Sequence, residues 1–387
     1  MAMVTGSYPP QPCGIGDYTD RLVRELLAAG INVEVITTRA KAPRSNASVR
    51  YEAESWRMSS WKKGVAWMRE QGYDLVHIQY PARFYGYPPD LALLSYLLRK
   101  GLPGVPLVVT FHEFRITHLL RQLTVGAIAL PVHKVLFTAD IEREAFVRVM
   151  PWLRRKTDVI RMAASIATLP FPPDARTELR ASLDIEEGDV VIVYFGFLHP
   201  NKGIETLLKT FSLVHKARSN TRLLMLSLLE PDTNHYHAQI LQEAQRLDIT
   251  GAIVWVGYLS ASDVSRHLSS ADIGFFPYQD GVTLRRLSFI TAMCHGLPCV
   301  TTAGPAGGAG IGLSDRGNVM LVSPSDNIDG FAGRLSSLVD SADSRRAIGD
   351  SALRWGEQFQ WGSVVERMTG VYQSLMSKRK GSEGMNS

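Results

Sequence analysis

The feature that most constrains this chain is an alternation of short β-branched runs with longer helical patterns, which occurs twice along its 387 residues. A strand, a helix and a second strand form the unit of a parallel sheet, because the helix returns the chain to the same edge. The sequence therefore predicts an α/β fold with two doubly wound, Rossmann-like domains. Ligands of such sheets bind in the loops that follow the strands.

This alternation also locates the predicted elements and domains. Three prolines interrupt the helical periodicity between Met162 and Asp174, which indicates a linker. We predict a first domain at residues 1–165, a second at 166–360, a final helix at 361–377 and a disordered tail at 378–387. Strands are predicted at Ile31–Thr37, Asp74–Gln79, Pro106–Phe111, Lys134–Thr138, Asp158–Arg161, Asp189–Gly196, Arg222–Leu228, Ala252–Val256, Ile273–Pro277 and Pro298–Thr301, and helices at Asp17–Ala29, Trp61–Gln71, Pro89–Lys100, Ile141–Val149 and Trp361–Met376.

Composition excludes several classes of protein. The net charge of +5 is too small to indicate nucleic acid, although it suits anionic small molecules or an anionic membrane surface. Cys13, Cys294 and Cys299 are scattered and form no CxxC pair, which argues against a disulfide framework or a cysteine zinc site. No apolar run reaches the ~18 residues of a membrane span, and the N-terminus lacks a secretory signal pattern. We expect a cytoplasmic protein.

The first candidate loop lies between the N-terminal strand and the first helix. Gly14 and Gly16, with Ile15 between them, permit close backbone approach, and the helix N-terminus offers N–H groups to an anion or a sugar hydroxyl. Thr19 stands where a dinucleotide-binding GxGxxG motif needs its third glycine, so that motif is absent. A plain strand–helix turn explains the loop equally well.

A second candidate is the polar pair His112 and Glu113, which follows an apolar strand. Parallel sheets expose their ligand sites at such strand ends, so a functional pair is favoured over a merely exposed one. His77 and Gln79 stand at an equivalent strand end. For His77, a hydrogen-bonded place in the core is the better interpretation.

Two loops of the second half carry cations where helices begin. Gly196 follows a strand and Lys202-Gly203 opens a helix, which puts an ammonium beside the positive end of a helix dipole and suits a diphosphate. Taken alone, a solvated Lys202 is the simpler interpretation. Arg285 and Arg286 begin another helix, and two arginines can grip phosphate oxygens bidentately. A surface charge pair is disfavoured there, since arginines at a helix start oppose the dipole unless an anion is present.

These four loops, in this order, resemble glycosyltransferase family 4, whose members are retaining enzymes of GT-B fold. Ser7-Tyr8-Pro9-Pro10 with Gly14-Ile15-Gly16 is similar to the family's acceptor-side loop, and Gly196-Phe197 with Lys202-Gly203 to its phosphate loop. Ala292–Val300 is similar to its Glu-Ala-Met-Ala-x-Gly-x-Pro-Val-Val segment. The resemblance covers nearly the whole chain. It implies two Rossmann-like domains with a cleft between them and a C-terminal helix that crosses back to the first domain.

The chain departs from the family pattern at three positions. Phe197 stands where many members carry Arg, and Thr283 and Thr291 stand where the family has glutamates for the donor sugar and the ribose. Threonine can hydrogen-bond but brings no charge. We expect Arg285 or Arg286 to supply the cation missing at position 197. The predicted donor site comprises Gly196, Gly203, Gly281, Val282, Thr283, Leu284 and Thr291.

The resemblance implies transfer of a sugar from a UDP- or GDP-sugar to a hydroxyl acceptor, with retained configuration. The absence of a DxD motif agrees with a reaction that needs no metal, and we expect no cofactor. Losing both glutamates leaves one alternative, a non-catalytic relative that binds nucleotide sugar or partners an active transferase. The resemblance assigns Lys202, Arg285 and Arg286 to the departing diphosphate, His112 to the donor sugar, and Gly14, Ile15, Gly16 and Glu113 to the acceptor side.

The acceptor is not determined by these motifs. Val147–Lys156 and Ser59–Arg69 combine tryptophan with basic residues in the first domain, a pattern that suits docking to an anionic bilayer. An ordinary solvated helix surface explains both segments equally well. A glycan, a lipid-linked sugar and a small molecule all stay open as acceptors, with the chain in the cytoplasm or at the inner face of the membrane.

Overall fold

The computed structural model describes residues 1–10, 14–39, 48–55, 57–80, 90–112, 114, 119–304, 307–326 and 328–383. The chain divides into two compact units. One unit comprises Met1–Met162 together with Trp361–Ser387, and the other comprises Ala163–Gln360. Each is built on its own parallel sheet.

The sheet of the first unit has seven strands, whose apolar, β-branched residues are buried along most of their length. The strands are β1 (Ala2–Thr5), β2 (Glu34–Thr38), β3 (Val49–Ala53), β4 (Val76–Tyr80), β5 (Leu107–Phe111), β6 (Lys134–Phe137) and β7 (Thr157–Val159). The helices are α1 (Gly14–Ala28), α2 (Met58–Gln71), α3 (Asp90–Gly101), α4 (Leu119–Ala129) and α5 (Asp140–Val149), followed by a 3₁₀ turn at Pro151–Lys156 and, at the end of the chain, by the helix Trp361–Glu383.

The strand order, β3-β2-β1-β4-β5-β6-β7, reverses direction at β1. β1 pairs in parallel with β2 on one side and with β4 on the other. Adjacent crossover connections therefore diverge between β1 and β4, which opens a crevice at the carboxyl ends of these strands. Residues 6–10, which follow β1, and His112, which follows β5, lie at this edge.

The second unit repeats the arrangement with six parallel strands in the order β10-β9-β8-β11-β12-β13 and reverses between β8 and β11. The strands are β8 (Val190–Phe195), β9 (Thr221–Leu226), β10 (Ile253–Trp255), β11 (Ile273–Phe276), β12 (Cys299–Thr302) and β13 (Met320–Val322). The helices are α6 (Pro173–Ser182), α7 (Ile204–Ala217), α8 (His235–Arg246), α9 (Ala261–Ser270), α10 (Leu287–Cys294), α11 (Ile328–Val339) and α12 (Ala342–Gly356), so that the last helix of the first unit is α13 (Trp361–Glu383).

Every strand and helix predicted from sequence is present with its ends shifted by three residues or fewer, except for α13. The predicted end of that helix, near Met376, and the disordered tail from residue 378 are wrong, because α13 continues to Glu383. No proline interrupts this segment, and lysine, arginine and methionine favour helix. Residues 384–387 lie outside the described part of the chain.

One of the two segments considered for a membrane patch is partly taken up by the core. In the segment 59–69, Trp61 is 1% exposed and belongs to the core of the first unit. The half-buried Trp67 packs its ring 5.1 Å from that of Tyr51. The burial of Trp61 argues against a contact of that ring with a bilayer. Among the described helices, none combines the length and apolarity needed to cross a membrane.

Candidate functional site

In the second unit, the loops that follow β8 and β11 touch at the point where the strand order reverses. Gly203 ends the 3₁₀ turn Pro200–Lys202 with a φ of +71°. A Cβ at this position would lie 1.9 Å from the carbonyl oxygen of Pro277. The backbone N–H of Gln279 donates to the Asn201 carbonyl at 3.3 Å. Glycine is required here, both for the left-handed backbone and for the close approach of the two loops.

Two cations converge on the ring of Tyr278, two residues beyond β11. The Lys202 Nζ lies 5.3 Å from the ring centroid, and the Arg286 Cζ lies 4.4 Å from it. Tyr278 is 1% exposed, so its ring forms a rigid, desolvated support on which cation–π attraction is strong. Arg286 also forms an ion pair with Asp280. The two predicted phosphate-binding cations therefore share one aromatic ring.

Positive charge exceeds negative charge at this ring. Burial and the charge of Arg286 lower the pKa of the Lys202 ammonium. The Asp280 carboxylate raises this pKa, but its contribution is the smallest of the three. A single carboxylate therefore compensates the two cations incompletely. A diphosphate bound beside them would supply the missing negative charge.

The loop between Asp280 and α10 is a tight turn rather than the start of the helix. The N–H of Arg286 donates to the Thr283 carbonyl at 3.0 Å, and the N–H of Arg285 donates to the Thr283 hydroxyl at 3.3 Å. α10 therefore begins at Leu287 and not at Arg285 and Arg286 as predicted, because the threonine captures these N–H groups locally. The Arg285 side chain is exposed, unlike that of Arg286.

The remaining predicted donor residues fix this turn to the sheet. Gly281 has a φ of +79°, and a Cβ there would lie 2.5 Å from the Ala303 carbonyl oxygen. Val282 is buried and its N–H donates to Thr302 at 2.9 Å, while Leu284 packs against the core. At Gly196, φ is +142° and a Cβ would lie 3.0 Å from the Ser288 Oγ. These glycines let the backbone of the loops come close to the helix and the sheet.

Thr291 lies away from any open surface of the described residues. It is 0% exposed, and its hydroxyl lies 3.0 Å from the Ser165 Oγ, with which it hydrogen-bonds. A ligand would have to displace this internal bond in order to reach the side chain. The geometry therefore argues against the predicted contact between Thr291 and a donor.

In the first unit, His112 follows β5 and is buried at the carboxyl edge of the sheet. Its Nε2 lies 2.8 Å from the Gln79 Oε1 and donates to it, which leaves the lone pair on Nδ1. That Nδ1 has no hydrogen-bond partner among the described residues. Burial lowers the His112 pKa to about 4, so the ring is neutral at pH 7. The site therefore presents a buried, neutral hydrogen-bond acceptor.

A chain of hydrogen bonds that runs from Gln79 through His77 to Tyr372 fixes the position of His112. The Gln79 Nε2 lies 3.5 Å from the His77 Nε2, which also lies 2.8 Å from the Thr110 Oγ1. The His77 Nδ1 lies 2.6 Å from the hydroxyl of Tyr372 on α13. Burial, and secondarily the charge of His112, lowers the His77 pKa to about 3. The prediction of a hydrogen-bonded core histidine at position 77 is confirmed.

The predicted acceptor loop leads into α1 beside His112. α1 begins at Gly14, Ile15 is half-buried, and Gly16 is buried. The ring of Tyr18 meets that of His112 edge-on, with 5.8 Å between their centroids. Residues 11–13 and the predicted acceptor-side residue Glu113 lie outside the described residues.

The described residues form no cluster of three or more histidine, cysteine, aspartate or glutamate side chains that could hold a metal ion. The predicted site residues include neither Tyr278, which supports Lys202 and Arg286, nor Tyr372, which bonds His77 behind His112. For Tyr278 a signal exists, because an aromatic residue directly precedes a glycine-bearing loop at a strand end. For Tyr372 none does.

Two family models match the chain. The model described as Glycosyltransferase Family 4 matches residues 12–167, and the model described as Glycosyl transferases group 1 matches residues 189–341. The two matches correspond to the first and second sheets.

Individual proteins are similar at lower identity. D-inositol 3-phosphate glycosyltransferase of Corynebacterium kroppenstedtii is 27% identical over 57% of this chain and 49% of its own length. GDP-mannose-dependent monoacylated alpha-(1-6)-phosphatidylinositol monomannoside mannosyltransferase of Corynebacterium glutamicum is 26% identical over 53% of this chain and 52% of its own length. This chain thus spans about half the length of these relatives.

The fold also occurs among solved structures. Anabaena HepE, solved in complex with UDP and glucose, superposes with a TM-score of 0.70 over 97% of this chain and 100% of that protein, at 15% identity. This match concerns the fold.

Proposed function

Because this chain belongs to glycosyltransferase family 4, we propose that it transfers a sugar from a nucleoside diphosphate sugar to a hydroxyl group. The observation that carries the proposal is the pair of cations, Lys202 and Arg286, held against the buried Tyr278 ring. They stand at the carboxyl edge of a doubly wound sheet, where such sheets bind nucleotides.

In this reaction the barrier lies mostly in breaking the bond between the sugar and the diphosphate. Negative charge grows on the leaving phosphate while positive charge grows on the sugar ring. Lys202 and Arg286 are cations already fixed in place, so they stabilise the developing charge without reorganising. The N-terminus of α7, which begins at Ile204, adds a positive dipole end next to Lys202. We propose that these groups act without a metal ion or other cofactor.

We assign His112 to the donor sugar rather than to proton abstraction. Its free Nδ1 can accept a hydrogen bond from a sugar hydroxyl, and its neutral ring adds no repulsion to a sugar that is becoming positive. The acceptor oxygen then bonds to the anomeric carbon on the face that the diphosphate leaves, and its proton passes to the leaving phosphate. Attack on that face retains the anomeric configuration. Gly14, Ile15, Gly16 and Glu113 are proposed to contact the acceptor.

The proposed donor is a UDP- or GDP-sugar, and the proposed acceptor rests on a separate observation. UDP and GDP both carry the diphosphate that the cations would bind; HepE was solved with UDP, whereas the Corynebacterium glutamicum mannosyltransferase is GDP-mannose-dependent. For the acceptor, we propose a molecule at a membrane surface. Trp152 is 69% exposed and is followed by three basic residues in the turn Pro151–Lys156, a combination suited to an anionic bilayer.

Thermal-shift measurements with UDP, GDP and their common sugar conjugates, in buffer containing EDTA, test the donor site. A ligand at 100 times its dissociation constant stabilises a fold by about 2.7 kcal/mol, which is readily detected. We expect stabilisation by one nucleotide family, which is clearly reduced in Arg286→Gln. Stabilisation only when a divalent metal is restored would contradict the metal-free mechanism. If no nucleotide stabilises the protein, the donor site is wrong and the chain is a non-catalytic relative.

A further inference from the structure

The first unit contains a second concave site, away from the carboxyl ends of β4 and β5. It is a cavity of about 410 Å³ beside the edge strand β7, closed on one side by α13. The amino end of β6 and the 3₁₀ turn before β7 form the remaining walls. Its charged and titratable lining residues are His133, Lys134, Arg155, Lys156, Asp158 and Arg367.

Cations dominate this lining. Lys134, Arg155, Lys156 and Arg367 carry four positive charges, and Asp158 carries the one negative charge among the residues that line the cavity. Asp158 is shared with Lys134, whose Nζ lies 3.6 Å from its carboxylate. Within the described part of the chain, no carboxylate pairs with Arg155, Lys156 or Arg367. The cavity therefore holds an excess of positive charge.

Two of these cations, the half-buried Lys156 and the exposed Arg367, are held in place by neutral groups instead. The Lys156 Nζ donates to the backbone carbonyls of Leu130 at 2.8 Å and Val132 at 3.0 Å. The Arg367 Nη2 donates to the Val159 carbonyl at 2.6 Å. Carbonyl oxygens fix the directions of these side chains but leave their net charges uncompensated. The positions are thus set before any ligand arrives.

The cations also repel one another. Burial lowers the pKa of the Lys156 ammonium, and the guanidinium of Arg99, just outside the lining, lowers it further. Burial, Arg99 and Lys156 together lower the pKa of His133. Folding therefore holds like charges together, and an anion bound among them would replace repulsion by attraction.

We propose that this cavity binds a phosphate-bearing anion. The volume is within the range of small-molecule sites, and a planar guanidinium beside ammonium groups matches the oxygen geometry of a phosphate mono- or diester. Two sources share this chemistry, a free phosphate compound and a phospholipid headgroup. The exposed Trp152 lies on the same turn as Arg155 and Lys156, so a bilayer that contacts this turn would bring headgroups close to these cations. The proposal does not depend on sugar transfer.

Isothermal titration of the full chain with inorganic phosphate, and co-sedimentation with vesicles of phosphatidylcholine alone or mixed equally with phosphatidylglycerol, test the site. Arg155→Gln removes an exposed cation from the 3₁₀ turn, and Lys134→Gln removes one from the amino end of β6. A loss of binding shared by both variants is therefore not explained by misfolding of one of them. Arg346→Gln, 74% exposed on the second unit, is the matched control for one lost charge. Arg286→Gln is included because phosphate that binds at the donor site, and not in the cavity, should bind this variant more weakly.

If the site takes a soluble ligand, phosphate binds the wild type and Arg155→Gln and Lys134→Gln each weaken binding by about tenfold or more, while Arg346→Gln and Arg286→Gln do not. If it takes a headgroup, the same two variants lose binding to the phosphatidylglycerol vesicles and phosphate alone binds weakly or not at all. The proposal is overturned if neither probe binds, or if binding survives both variants and disappears in Arg286→Gln.

Discussion

The guanidinium of Arg286 lies over the ring of Tyr278, with 4.4 Å between the Cζ and the ring centroid. This contact turns a side chain at the start of α10 back toward the loop after β8, where Lys202 approaches the same ring. Arg286, rather than the exposed Arg285, is therefore the better candidate to supply the cation that Phe197 lacks.

Arg286→Gln should weaken binding of a nucleoside diphosphate by about 2 kcal/mol, because a charge-assisted hydrogen bond to phosphate is lost. Arg285→Gln is the matched control, with the same chemical change one residue earlier and a smaller expected effect. Calorimetric titration with the nucleotide that stabilises the protein measures both. Equal losses in the two variants would show that the assignment to Arg286 is wrong.

Asp280→Asn should strengthen nucleotide binding. In the unliganded protein Asp280 pairs with Arg286, so a diphosphate must compete with a carboxylate for the same guanidinium. The neutral amide removes that competitor while keeping the size of the side chain. Asp343→Asn, which removes a carboxylate from an exposed ion pair, serves as the control in the same titration. Weaker binding in Asp280→Asn would indicate that Asp280 contacts the donor itself.

Gly203→Ala should destabilise the second unit by about 1–3 kcal/mol, because the added Cβ meets the Pro277 carbonyl and the backbone is left-handed. Gly251→Ala adds the same methyl group where nothing lies within 4 Å and should change stability little. Urea unfolding of both variants gives the comparison. We also expect Gly203→Ala to weaken nucleotide binding, since Lys202 immediately precedes it.

Thr291→Glu, which restores the family residue, should destabilise the protein by several kcal/mol, because a carboxylate would be buried without a partner. Thr291→Ser keeps the hydroxyl that bonds to Ser165 and should cost little beyond one methyl group. Thr283→Glu, at a half-buried position, should be tolerated better. Comparable unfolding free energies for the two glutamate variants would contradict this picture of the site.

The buried histidines predict a pH dependence of stability. Both pKa values are lowered from 6.5, to about 4 for His112 and about 3 for His77, so between these values and 6.5 the unfolded chain binds more protons than the folded one. Stability should therefore be fully present above pH 6.5 and fall as the pH drops toward 4. His112→Gln should flatten this fall in urea titrations from pH 7 to 4. An unchanged fall in that variant would contradict the contribution of the buried histidine.

The strand–helix alternation was enough to predict the central strands of both sheets, since its hydrophobic periods are local, but it missed the edge strands β3 and β13. The positions of Lys202 and Arg286 could also be predicted locally, because both residues lie in loops that directly follow predicted strands. The hydrogen bond between His77 and Tyr372 joins residues 295 apart in sequence, so no local pattern could predict it. The start of α10 was misplaced for another reason, because the hydroxyl of Thr283 competes with the helix for backbone N–H groups.

α13 takes part in two sites of the first unit. Arg367 and Val371 line the cationic cavity, while the next residue, Tyr372, holds His77 and through it the support of His112. If a ligand in the cavity shifts or stiffens α13 and so changes the affinity of the His112 side for the donor, donor binding changes the affinity of the cavity by the same factor, since such linkage is reciprocal. Occupancy of the cavity by phosphate is therefore expected to tune donor affinity, and donor to tune phosphate affinity, by one common factor.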